Sequence, residues 1–242
     1  MTRVTLGSAV ALVAVSLAFI GSSSADVTAV RGNAFGYSVP NLTIFGGPQT
    51  PVAPTPNVTL APDASNSPQT AHANTGLVKF GPATLFSSGP IDVSTQGSLG
   101  AGGSVMSTAD IHNINTSGQE VFTASELKST CTANESGVTG STTVTGGTVQ
   151  TSETGPTNVT VPTNPPPNTT IHGMIESVGD SFDFVFNEQT MNSDGSLTVT
   201  ALHEKLLGPT AVGDVFIGQV TCGVTAMAGT TSSSSPTSSS TS

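Results

Sequence analysis

The amino-acid sequence predicts an all-β protein: an antiparallel β-sandwich of roughly ten to twelve strands, with long proline-rich loops and one disulfide. Three observations carry this expectation. Turn signals recur about every 8–12 residues along the chain. Ser, Thr, Gly, Val and Ala dominate the composition, and β-branched Thr and Val favour strands. The apolar residues fall in alternating groups, a pattern that a disordered chain does not need.

The first 25 residues read as an export signal. Arg3 gives a small positive start, Leu6 to Ile20 is an apolar run, and Ser23-Ser24-Ala25 supplies small residues for cleavage after Ala25. Residues 26–226 are then expected to form a single β-sandwich domain. Residues 227–242, nearly all Ser and Thr, are expected to be a disordered tail. No apolar stretch follows that tail, so no membrane span is expected in the mature chain, and the protein should be secreted or associated with the cell surface.

Charge narrows the functions further. Charged residues make up 8% of the chain, and the formal net charge is −10. Such a surface repels phosphate backbones and anionic lipids, which argues against nucleic-acid binding. The acids are scattered, as on a sparsely charged, hydroxyl-rich exported surface, with an acidic cation site as the sharper alternative. Cys131 and Cys222 are the only cysteines. In an exported protein an even pair reads as a disulfide, expected here near the carboxyl-terminal edge of the domain. Closing a loop of about 90 residues is worth roughly 4–5 kcal/mol in the chain-entropy account.

The elements follow in order. In Arg31 to Tyr37 large residues hold the odd positions and small ones the even positions. Period-two patterning then places Phe35 and Tyr37 on one face and leaves a small face that another sheet can approach. Core packing is the expected use of these aromatics, and cofactor stacking the alternative. Gly46 to Pro68 is proline-rich and reads as loop and edge strand, with Asn57 to Leu60 able to pair. A polyproline ligand for a partner is the alternative there. Leu77 to Phe86 and Ile91 to Thr95 read as short strands split by Gly89-Pro90. Gly97 to Gly103 is a glycine-rich loop that lacks the Lys-Ser/Thr of a phosphate loop. Ser104 to Asn115 alternates as a strand, Gly118 marks a turn, and Glu120 to Cys131 returns as a strand rather than a helix.

Thr142 to Thr151 places two β-branched runs around Gly146-Gly147, which predicts a hairpin pairing Thr145 with Thr148 and Val144 with Val149. Pro156 to Pro167 is a second proline-rich loop. Ile171 to Val178 and Ser181 to Thr190 are strands, the latter with Phe182, Phe184 and Phe186 on one face and Asp183 on the other. Asn192 to Gly195 turns the chain into Ser196 to Leu207, and Val212 to Cys222 closes the domain.

Signals for chemistry are sparse. There is no GxSxG. His203-Glu204 begins like a zinc-protease motif, but Leu207 stands where the second His belongs. His72, His112, His172 and His203 are far apart in sequence. Glu176, Asp180, Asp183 and Glu188 are the densest acids, expected to be solvated at a hairpin. A calcium site or a glycosidase pair of carboxylates is the alternative. No catalytic, cofactor or metal residue is assigned. Six N-x-S/T sequons occur, at Asn41, Asn57, Asn115, Asn134, Asn158 and Asn168.

The segments 31–37, 118–124 and 208–222 together resemble exported actinobacterial surface proteins of the choice-of-anchor P kind. The resemblance covers most of 25–222. It implies an export signal before a strand-rich domain, and a carboxyl-terminal anchor that varies between members. It brings no assigned chemistry. The expected function is therefore a secreted or cell-wall-associated, non-enzymatic β-sandwich with a structural or adhesive role. A binding module for an extracellular glycan or protein is the alternative, and a secreted glycoside hydrolase the third reading.

Overall fold

A computed structural model describes residues 25–227, apart from 82, 117–120 and 156. The export signal, the Ser/Thr tail beyond Met227 and the turn at Gly118 lie outside the described residues. Those residues form strands and no helix. In chain order the strands are β1 (Asp26–Ile44), β2 (Gly47–Pro48), β3 (Val52–Thr59), β4 (Gln69–Ala73), β5 (Gly76–Phe80) and β6 (Ala83–Ser88). Then come β7 (Ile91–Gly97), β8 (Gly100–Ala101), β9 (Ser104–Thr116), β10 (Val121–Asn134), β11 (Gly137–Thr145) and β12 (Thr148–Gln150). The last five are β13 (Asn158–Thr160), β14 (Thr169–Ile175), β15 (Asp180–Met191), β16 (Leu197–Leu207) and β17 (Ala211–Met227). No helix among the described residues is long and apolar enough to cross a membrane.

Two antiparallel sheets pack face to face. Sheet A follows the order β14-β15-β16-β17-β1-β2, with β3 and β8 also paired to β1. Sheet B follows β13-β12-β10-β9-β6-β5, with β11 on β10, β7 on β9 and β4 on β7. β1 and β17 pair along nearly their whole length, from Asp26 opposite Met227 to Ile44 opposite Ala211. Pro54 and Pro56 sit in β3, at an edge, where a missing ladder donor costs least.

The core lies between the sheets. Phe182, Phe184 and Phe186 all point into it. Phe122 of sheet B meets them, with ring centroids 6.0 Å from Phe184 and 5.2 Å from Phe186. The small residues of β1 do allow close approach. A Cβ on Gly32 would lie 2.2 Å from the Thr95 hydroxyl, and one on Gly36 would lie 2.7 Å from Ile91. Cys131 and Cys222 are bonded, with Cα atoms 5.6 Å apart. The bond corrects the expected edge position, because it crosses the core from β10 of sheet B to β17 of sheet A and both residues are fully buried.

Each sheet is creased along one row of residues. In sheet A the register aligns Asn187, Ala201, Gly218, Gly36 and Pro56 across β15, β16, β17, β1 and β3. In sheet B it aligns Gly89, Asn113, Ser125 and Gly146. Asn187, Gly218, Asn113 and Gly146 take positive φ, between 51° and 65°. At these rows the in–out alternation reverses in every strand except the edge strand β3. The central strands make the same adjustment and stay paired through it, as if one bulge had been repeated through the sheet, whereas edge strand β3 shifts register against β1 between Tyr37 and Val39.

The creases overturn two expectations. Gly146-Gly147 is not a hairpin turn. Thr145 pairs with Glu126 and Thr148 with Thr123, so β11 and β12 run in line along β10. Gly89-Pro90 does split two strands, as expected, and β6 and β7 run in line along β9. Phe35 and Tyr37 take opposite faces: Tyr37 reaches the core, 5.0 Å from the Phe86 ring, while Phe35 stands outside the core cluster. Separately, Leu77 to Phe86 is a hairpin, β5 to β6, turning at Gly81 with φ 58°.

Candidate functional site

The acids singled out in the sequence do not converge. Glu176 accepts from the Ser152 hydroxyl at 2.5 Å and the Glu153 amide at 3.2 Å, and the serine bond chiefly holds its carboxyl below the usual range. Asp180 is buried and accepts from the Thr210 hydroxyl and from the amides of Thr210 at 2.6 Å and Ala211 at 3.1 Å. It thereby fastens the β16–β17 turn. Asp183 lies on the outer face of sheet A, 2.7 Å from His172 Nδ1. Glu188 belongs to a separate cluster. The arrangement is four local fastenings rather than a pair of carboxylates facing across one cleft.

The Glu188 cluster surrounds His203. The β16 crease at Ala201 turns His203 to the outer face and Glu204 to the core, where Glu204 is fully buried. His203 Nδ1 lies 2.8 Å from Glu188 Oε2, and its Nε2 lies 2.8 Å from Asp214 Oδ1. The imidazole stacks on Phe216 with ring centroids 4.2 Å apart, and Lys205 Nζ is 3.4 Å from Glu188. The histidine bond is the main cause of a depressed Glu188 pKa, against the opposing effect of burial. Both ring nitrogens face carboxylates, which occupies the atoms that a metal would need. Among the described residues no three His, Cys, Asp or Glu side chains converge as a metal site.

The outer face of sheet B holds a group that sequence reasoning missed. The register places Thr70, Ser94, Thr108, Thr130 and Ser141 side by side across β4, β7, β9, β10 and β11. One step along each strand's outer face, His72, Asp92, Asp110 and Lys128 form a charged row. His72 Nδ1 is 2.8 Å from Asp92, and Lys128 Nζ is 2.9 Å from Asp110. The Asp92 bond, followed by one to Asn74, raises the His72 pKa above 6.5. The Asp110 bond likewise raises Lys128. Asp92 and Asp110 stand directly opposite each other. A groove of about 500 Å³ lies over these residues, lined by Thr70, Ser94 and Thr108 from one row and by the four charged residues of the other. The only signal in the sequence was period-two spacing within single strands, and the register that joins them is non-local.

All six sequon asparagines are exposed. No protein-family model, no curated protein and no solved structure matches this chain.

Proposed function

We propose that this chain is a secreted or cell-surface-associated, non-enzymatic β-sandwich protein with a structural or adhesive role. The observation that carries this reading is the use made of the outer-face charges. His72 with Asp92, Lys128 with Asp110, His172 with Asp183, His203 with Glu188 and Asp214, and Arg31 with Asp194 are all within 3.0 Å. Cross-strand pairs of this kind hold a sheet in register, and they occupy side chains that a catalytic site keeps available. A buried disulfide suits an oxidising compartment. The export-type leader and the resemblance to choice-of-anchor P surface proteins point to the same place.

Binding of an extracellular glycan or protein is the second reading, favoured by the groove on sheet B. Fractionation of the native host into medium, wall, membrane and cytoplasm tests the first. The expected result is protein in the medium or wall that begins at Asp26. Protein held in the cytoplasm with residues 6–20 still attached overturns it.

A further inference from the structure

We propose that the outer face of β4, β7, β9, β10 and β11 binds a neutral glycan chain lying across the strands. The proposal rests on the second reading above and names its site and its ligand class. The hydroxyl row Thr70, Ser94, Thr108, Thr130, Ser141 is one residue deep and five strands wide. Neighbouring strands are about 4.8 Å apart, so a hydroxyl recurs at nearly the length of one pyranose ring in an extended chain. Each hydroxyl can donate and accept, as can each sugar hydroxyl.

The charged row supplies the second edge. Carboxylates only accept, and each has room for several donors. Asp92 and Asp110 stand opposite each other, an arrangement unfavourable in a sheet, and His72 and Lys128 flank them. A conflict kept in an otherwise regular sheet is the kind of local cost found at working surfaces. Asp92, the more exposed of the two carboxylates, presents acceptors at a groove of about 500 Å³, where vicinal sugar hydroxyls can donate to it, while Asp110 is held by Lys128 and His112.

The charges select for a neutral ligand. An acidic glycan meets a chain of net charge −10, and any ionic ligand has to break an ion pair already made. No Phe, Tyr or Trp stands in either row, so the contacts are chiefly hydrogen bonds. Affinity per site is correspondingly modest, and firm attachment comes from many sites on one polymer.

The test is an amide NMR titration of the exported, disulfide-linked chain with cellohexaose, mannohexaose and maltohexaose. At least one of them is expected to shift Asp92, Ser94, Thr108, Asp110 and Thr130 together. Thr108→Val with Thr130→Val keeps shape and removes two hydroxyls, and should weaken that binding about tenfold. Asp92→Asn should weaken it too, while His172→Gln on the other sheet leaves it unchanged. Silence with all three sugars, shifts centred elsewhere, or unchanged binding by the valine variant with an intact spectrum overturns the proposal. The fractionation result is separate: a wall-associated chain that ignores all three sugars sinks the glycan face and leaves the structural reading standing.

Discussion

Ser129, on β10 of sheet B, donates a hydrogen bond of 2.7 Å to the carbonyl oxygen of Gly218, on β17 of sheet A. Gly218 sits in the crease of its sheet with φ 65°, and Ser129 is fully buried. The bond therefore fastens one sheet to the other at the line where the strands reverse their faces. Ser129→Ala leaves a carbonyl buried without that partner and should cost about 1–3 kcal/mol. Gly218→Ala should cost more, because positive φ strains an L residue and the new Cβ meets Ile111 at 3.0 Å and Ala201 at 3.1 Å. Urea unfolding of the two variants checks the ranking.

Replacing Cys222 with Ser should lower stability by roughly 2–5 kcal/mol. The loss should be the same with Cys131→Ser, since both changes open one cross-link between the sheets. Non-reducing peptide mapping of the parent should recover the two cysteine peptides joined.

Phe184→Ala should destabilise by about 3–5 kcal/mol, because its ring is fully buried against Phe122, Phe182 and Phe186. Asp183→Ala removes an outer-face pair with His172 and should cost no more than about 1 kcal/mol. Equal losses in thermal unfolding would count against this strand register.

Glu188 titrates below its ordinary value of 4.5, chiefly through the hydrogen bond to His203. A depressed carboxyl favours the folded state above its unfolded pKa. That contribution is lost as pH falls from about 4.5 through the lower folded value. Glu188→Gln should flatten the fall in melting temperature over that acid range and leave a wild-type slope above it.

His72 is held above 6.5, first by Asp92 and then by Asn74. A raised histidine favours the folded state below 6.5, and the contribution disappears as pH rises through the folded value. The ring is exposed, so the readout is its own titration rather than stability. Asp92→Asn should bring the NMR-observed pKa of His72 down toward 6.5.

Alternation alone located the face of Phe182, Phe184 and Phe186 and the small face of Gly32, Ala34 and Gly36, because a strand's period is a local property. The cysteine pair was legible from its number and setting, but its place in the core was not. The creases were hidden for a physical reason. Gly146-Gly147 can make a tight turn or a bend in a continuing strand, and the choice depends on β10, which pairs on both sides of it. Asn113 and Asn187 in strand interiors were the residual clue, since Asn tolerates positive φ better than most residues. The same limit hid the groove, because Thr70 and Ser141 become neighbours of one row only through four strand pairings.

The disulfide also sets how a pull travels through this protein. Cys131 adjoins Thr130 of the hydroxyl row, and Cys222 lies close to Met227 along β17. A tug entering at Met227 while a ligand holds the Thr130 row passes along residues 222–227, through the sulfur atoms and into β10. That route is covalent from end to end. Only the short ladder between residues 222–227 and β1 is exposed to that pull, and the ladders of β16 and β9, whose hydrogen bonds could peel one after another, are left outside the line of tension.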